Sequence, residues 1–421
     1  MKVFKNKGQT LYIFEAALEY LVAILCTSSF LATLTGSLGM SDSLTGIVSS
    51  FISMGCLFQL LSILIQVRKH KTFVTVLSIA NQLLFTLLYV IPLFEINSNT
   101  KIIFFVVAIF GAYIIYNIAH PKKINWMMSQ IGDKNHGSFT ATKQIFSLFV
   151  GMIFSFAMGK VIDHFTDKGD KQTAFIIAAI VIFVLMILHS LTLLFSNDLK
   201  AENTSSNINL KNIFGILKDK DALSVMIFFI IYYAANGITT PYYGTYKINE
   251  LGMSLTLISL LTILGSFTRI FVERPFGKYA DKFSFARMTE KCLIFLGLAY
   301  LCMTIAHPSN GTVMVVLYLI FHSMAMAGIS SALINLVFEF VKPEKRTDAL
   351  AMTQGISGIV GFLATLLVSP VVSLIQSRPD KCIKLGGINI YAQQILSFAG
   401  LIIIVIGFIY VRTVLVKKKS K

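Results

Sequence analysis

The chain has 421 residues, of which 55% are hydrophobic and only 13% charged, and its mean hydropathy is +0.75. A soluble globular chain carries about 25% charged residues, so a water-soluble fold is excluded, and 35 phenylalanines set in long aliphatic runs exclude disorder. The net charge of +16 would suit a nucleic-acid partner only if the basic residues were not confined to loops between apolar stretches.

A membrane helix needs about 20 mostly apolar residues. Stretches free of Asp, Glu, Lys and Arg run over 20–41, 43–67, 72–94, 102–121, 144–159, 172–197, 222–246, 251–268, 292–338, 349–377 and 385–411. His307-Pro308-Ser309-Asn310-Gly311 is a turn sequence that divides 292–338 in two. The expectation is therefore twelve spans, the first and fifth extending across charged residues. No small-residue cleavage site follows a short apolar core, so the first span is expected to be retained. With Lys2, Lys5 and Lys7 placed in the cytoplasm, the inner loops, Lys122 and Lys123 among them, hold 27 of the 36 basic residues. Both termini are then cytoplasmic, and no nucleic-acid partner is expected. The Lys-, Ile-, Asn- and Phe-rich composition points to a bacterial plasma (inner) membrane. Cys26, Cys56, Cys292, Cys302 and Cys382 show no ligand spacing, so neither disulfide, metal nor cofactor is expected.

The two halves match each other. Leu38-Gly39-Met40-Ser41 follows the first span and Leu251-Gly252-Met253-Ser254 the seventh, at an offset of 213. Ala141, Gln144, Ser147, Val150, Gly151 and Val161 align with Ala351, Gln354, Ser357, Val360, Gly361 and Val371 at an offset of 210. Two matches at nearly one offset predict a six-plus-six duplication. An even number of spans per half makes the repeats parallel, related by an axis along the membrane normal. The expected units are an N-terminal bundle 1–195, a polar cytoplasmic linker 196–222 and a C-terminal bundle 223–421.

After the eighth span, Gly277-Lys278-Tyr279-Ala280-Asp281-Lys282-Phe283-Ser284 resembles the Gly-x-Leu-Ala-Asp-Arg/Lys-x-Gly loop of the major facilitator superfamily. Ser284 stands where that pattern has its second glycine. The resemblance extends over the whole length: twelve spans, cytoplasmic termini, a central loop and two parallel halves. It implies a two-bundle transporter fold and an access-state latch at Gly277, Asp281 and Lys282. The first half departs from the pattern, because Gln66-Val67-Arg68-Lys69-His70-Lys71 contains no Asp. Span 4 has no Arg and span 5 no Gly-Pro pair, which weakens proton coupling and drug export alike. The resemblance also implies that helices 1, 4, 7 and 10 line a central cavity, to which Asn117 and His322 would contribute.

Ionisable groups inside a span face a cavity or a partner. Glu15 and Glu19 are four apart and share one face of helix 1. Either the pair holds a proton, or Glu15 sits in water at the interface and only Glu19 lies inside. Arg269 in helix 8 either grips an anionic group on a solute or pairs with Glu273 one turn on and braces the following loop. Helix 7 carries Gly237 and Pro241 in mid-span, which predicts a kink whose freed carbonyls need partners. On it, Tyr233 and Asn236 are binding-site candidates, whereas Tyr242, Tyr243 and Tyr246 are expected in an aromatic belt at the outer interface. Gln144 and Gln354 share one repeat position, to bind ligand or brace helices.

The seven histidines form no catalytic cluster, and no phosphate-binding Gly-rich Lys-Ser/Thr motif occurs. An enzyme and an ATP-driven pump are therefore set aside. The expected function is a secondary active transporter, acting as a monomer, that carries a small organic solute by alternating access with Glu19 as a candidate proton-coupling group. An uncoupled facilitator is the alternative, and a polytopic membrane enzyme a remoter one.

Overall fold

The computed structural model describes residues 7–59, 62, 65, 67, 69–128, 136–197, 215–342, 345–385 and 387–419. Almost all of them are helical. The helices are α1 (Lys7–Leu25), α2 (Ser28–Ser37), α3 (Asp42–Ser49), α4 (Phe51–Gly55), α5 (His70–Val90), α6 (Ser98–Met128), α7 (His136–Asp167), α8 (Lys171–Phe195), α9 (Lys220–Thr239), α10 (Leu255–Lys282), α11 (Phe285–Ile305), α12 (Gly311–Phe340), α13 (Arg346–Gln376) and α14 (Ala392–Tyr410). A two-stranded hairpin, β1 (Ile383–Leu385) against β2 (Ile388–Ile390), precedes α14. Eleven helices among the described residues are long and apolar enough to cross a membrane. Their outward side chains, such as Val107, Phe271 and Leu367, are apolar and exposed, a surface suited to hydrocarbon and not to water. The protein is an all-α, multi-pass membrane protein. The second apolar stretch holds a shorter helix, Asp42–Phe58, interrupted at Ser50, whose hydroxyl donates to the Ile47 carbonyl at 2.6 Å.

Two helices break inside their spans. Between α1 and α2, Ser28 adopts a φ of +51°, a strained conformation outside glycine. The interruption frees carbonyls that hydrocarbon cannot satisfy. The Tyr89 hydroxyl donates to the Leu25 carbonyl at 2.7 Å and the Tyr113 hydroxyl to that of Cys26 at 3.5 Å. Just past the end of α9, Pro241 has no N–H to offer the Gly237 carbonyl, and the Thr365 hydroxyl donates to it instead, at 2.7 Å. The chain then continues through tight and wide turns to Glu250.

The described residues divide into two compact units. The first comprises Met1–Met40, Phe58–Ser206 and Ser254–Leu260, and the second Ser41–Leu57, Asn207–Met253 and Leu261–Lys421. In the first, α5 packs on α6 and α8, and α1 on α7 and α8, with Tyr12, Ile13, Trp126 and Leu193 in one buried cluster. In the second, α11 packs on α12 and α14, α9 on α13 and α14, and α3 and α4 lie on α13. Gly237 has no Cβ, which is what lets α9 meet the Gly361 carbonyl of α13.

The repeated Leu-Gly-Met-Ser segments do the same work twice. Gly39 and Gly252 both take positive φ, +73° and +63°, the left-handed conformation that favours glycine. Two residues on, Ser41 and Ser254 each cap the next helix, accepting from the N–H of Leu44 and of Leu257 at 3.2 Å. Of the linker 196–222, residues 198–214 lie outside the described residues, and Ile216–Lys218 forms one short helical turn.

Candidate functional site

Glu15 and Glu19 stand one turn apart on α1, and the first unit folds a cation between them. Lys123 Nζ of α6 donates to Glu15 Oε1 at 2.9 Å and also to Glu19 Oε2. His189 Nε2 of α8 lies 2.9 Å from the same Glu15 oxygen, and its Nδ1 lies 2.9 Å from Gln82 Nε2 of α5. Four helices are thereby tied through one polar network. Glu15, Lys123, His189 and Gln82 are 0%, 4%, 1% and 2% exposed. Glu19 retains 22% of its side-chain exposure and faces a narrow cleft lined also by Ser78, Gln82, His120, Lys123 and His189.

The local sequence accounts for this convergence. Tyr116, His120 and Lys123 recur at spacings of four and three on α6, and Ser78 and Gln82 are four apart on α5, so each set lies on one helical face. The His189 ring bonds a donor from α5 on one side and a carboxylate from α1 on the other. Glu15, Glu19 and His189 offer donors close enough together for a metal ion. Lys123 already fills the cation position between the carboxylates, so the arrangement is an ion-pair cluster.

Several expectations are corrected. Glu15 is wholly buried and Glu19 is the partly open member, the reverse of a Glu15 in interfacial water. Lys123 is not in an inner loop, because α6 runs on through Pro121 to Met128. Cutting spans at the first charge hides the lysine that bridges the pair. Tyr242, Tyr243 and Tyr246 are not an interfacial belt. They are 0%, 2% and 0% exposed, and their hydroxyls bond the Thr365 carbonyl at 3.0 Å, Ser397 Oγ at 2.8 Å and the Ala306 carbonyl at 2.6 Å. The segment resembling the family loop is mostly helix: Gly277, Asp281 and Lys282 close α10, and Ser284 caps α11 by accepting from the Arg287 N–H at 3.1 Å. Among the described residues neither Asp281 nor Lys282 forms an ion pair, and Arg269 does not meet Glu273. Arg269 Nη2 donates to Ser330 Oγ at 3.0 Å instead.

The other candidates are placed as follows. Asn117 is buried with its amide used, donating to the Tyr113 carbonyl at 2.8 Å and accepting from Gln59 at 2.9 Å. Asn236 Oδ1 accepts from Thr240 at 2.7 Å. The Tyr233 ring abuts Tyr232, and His322 lies against Tyr318 at 5.2 Å between ring centroids. Gln144 is exposed and Gln354 half-buried. Sequence reasoning missed Lys123, His189, Gln82 and Lys247. The last is 6% exposed with its ammonium 5.7 Å from the Tyr318 ring centroid.

The fold matches solved transporter structures over almost their full length. The nucleoside transporter NupG superposes with a TM-score of 0.70 at 12% identity, covering 96% of this chain and 98% of that one. A D-xylose-proton symporter gives 0.65 at 13%, covering 95% and 96%. A bacterial homologue of the human lysosomal transporter Spinster gives 0.65 at 12%, covering 97% and 96%. A search of curated protein sequences returns no match. The family model described as Major Facilitator Superfamily matches residues 13–365. That stretch is well over half of the chain, which therefore belongs to the Major Facilitator Superfamily.

Proposed function

We propose that the chain is a secondary active transporter that moves a small organic solute by alternating access between two parallel six-helix repeats, with protons as the coupling ion. The observation that carries this reading is the Glu15–Lys123–Glu19 cluster, buried within a bundle of apolar helices and open to a cleft through Glu19. Charged groups buried among membrane-spanning helices are costly and mark ion pathways and proton relays. The repeats, bundles 1–195 and 223–421 joined by 196–222, are supported by the twin glycine turns and caps. They are also supported by Asp163 and Gln376, which are 213 residues apart. Asp163 accepts from the Leu255 and Thr256 N–H groups at the start of α10, and Gln376 donates to Asp42 at the start of α3.

The similar structures include a nucleoside transporter and a D-xylose-proton symporter, so nucleosides and monosaccharides are the first solutes to try. Tyr233, Asn236, Arg269, His322, Gln144 and Gln354 are the proposed solute contacts, while Asn117 braces α6. Gly277, Asp281 and Lys282, with Glu273, form the proposed latch. The protein acts as a monomer in the plasma (inner) membrane with both termini cytoplasmic.

The test is uptake of a radiolabelled nucleoside and monosaccharide panel into proteoliposomes under an imposed acid-outside gradient. Accumulation of one class above its external concentration, erased by a protonophore and by Glu19→Gln, is expected. Equilibration of a solute with no response to the gradient favours the uncoupled facilitator, a reading that a carboxylate pair held permanently by Lys123 would suit.

A further inference from the structure

The charges in direct contact around Glu15 do not balance. Two carboxylates meet the single ammonium of Lys123, and the next cation, Lys143, donates to the Tyr12 hydroxyl at 3.2 Å instead. A surplus buried charge is costly, and one more proton would cancel it. We propose that His189 is the site of that proton, and that the side-chain amide of Gln82 turns over to hold it. The proposal deepens the proton-coupled reading above and rests on it for its use in transport.

Paired and orphaned atoms at these two residues set the geometry. Gln82 Nε2 faces His189 Nδ1, so it donates and Nδ1 accepts, which leaves the ring proton on Nε2, donated to Glu15 Oε1. This is the neutral imidazole. Gln82 Oε1, by contrast, is buried with no hydrogen-bond partner, which costs stability in this state of the protein. Rotating the amide half a turn presents that oxygen to Nδ1. A proton arriving from the cleft binds the Nδ1 lone pair; an N–H bond forms and none on the protein breaks. The new Nδ1–H donates to Gln82 Oε1, the Nε2–H stays on Glu15, and the contact charge of the cluster goes from −1 to 0. Release is the reverse.

Other sites for the proton fit less well. Glu15 Oε2 has no partner, so a proton there would be a buried donor facing no acceptor. His120 lines the same cleft, but its Nδ1 has no partner and its ring lies against Tyr116 at 4.9 Å. It touches no carboxylate and stands one turn from the Lys123 ammonium. The charged and titratable groups around the Glu15–Lys123–Glu19 cluster are Tyr12 from α1, Tyr116 and His120 from α6, Lys143 from α7 and His189 itself, with Gln82 from α5 beside it. Of these residues, only Glu15 and Gln82 bond the His189 ring.

The experiment needs no solute. Protein labelled with ¹⁵N-histidine is placed in lipid nanodiscs and titrated from about pH 8 to 5, the range in which histidine ordinarily changes charge. The His189 signals are assigned by their loss in His189→Gln. Trp126, the single tryptophan, lies three residues from Lys123 and is buried against Tyr12 and Ile13, so its emission reports on the integrity of each variant. The expected result is that Nδ1 changes from bare to protonated while Nε2 keeps its proton. Gln82→Leu removes a charge-assisted bond from the protonated state and a weaker neutral one from the other, so its midpoint moves acidward by about one pH unit. If His189→Gln fails to fold, Gln82→Leu carries the test. An Nδ1 that stays bare throughout, or a midpoint unmoved by Gln82→Leu, overturns the proposal. Gradient-driven uptake that survives His189→Gln overturns it too and leaves proton coupling standing. Uptake indifferent to the gradient in the unmodified protein defeats the coupled reading instead, and the titration still decides His189.

Discussion

Lys123 is the residue on which the first unit's polar interior depends. It holds two carboxylates that would otherwise repel one turn apart on α1. Removing one partner of a buried pair leaves the other uncompensated, at a cost of about 3–5 kcal/mol. Lys123→Met is therefore expected to lower the thermal unfolding temperature in detergent sharply, and Glu15→Gln added to it should recover much of the loss. A double variant no more stable than the single one would show that the pair is not coupled. The carboxylates were legible in the sequence, because two acids four apart in an apolar run must meet water, a proton or a cation to be tolerated there. Their partner was not, since Lys123 follows His120-Pro121 and reads as the start of a loop until the helix is seen to continue.

At the scale of elements, the two broken helices use one device: hydroxyls from neighbouring helices take up carbonyls that the break releases. The Gly237–Pro241 kink follows from the local sequence, but Thr365, 128 residues away, could not be named as its partner. Thr365→Val should cost about 1–2 kcal/mol in thermal unfolding. Pro241→Ala in the same background restores an N–H and should return part of it, and strict additivity of the two changes would refute the assignment. A second element-scale prediction concerns α9, whose first turn is capped by Asp219. Its carboxylate accepts from Lys345 Nζ at 2.7 Å and from the Asp221 and Ala222 N–H groups. The Lys345 bond, followed by those N–H groups, holds the Asp219 carboxyl below its ordinary range. A lowered folded-state value gives stabilisation that is complete above the ordinary carboxylate range and lost as pH falls through the lowered one. Asp219→Asn should thus be less stable than the unmodified protein at neutral pH, with the difference shrinking in acid. Melts of the two proteins across pH decide it.

For the molecule as a whole, the proposed sidedness of the loops rests on the distribution of Lys and Arg. A fluorescent protein fused after Lys421 should fluoresce in intact bacterial cells and resist external protease until the membrane is opened. Cleavage from outside would invert the proposed topology.

Composition alone fixed the solvent, because so many apolar residues and so few charges have no stable place in water. The hydropathy pattern marked most of the crossings, and the matching Leu-Gly-Met-Ser segments, read as a repeat, prove in the structure to share a left-handed glycine and a serine cap. These are local or additive properties, carried by residues near one another in the chain. What the tertiary structure decided was which buried groups meet. It put Lys123 between the acids, His189 and Gln82 behind them, and three tyrosines inside the second unit where an interfacial belt was expected. A charge or hydroxyl in a span has no fixed meaning until its partner is known, and here the partners come from distant helices, Glu15 and His189 being 174 residues apart in sequence.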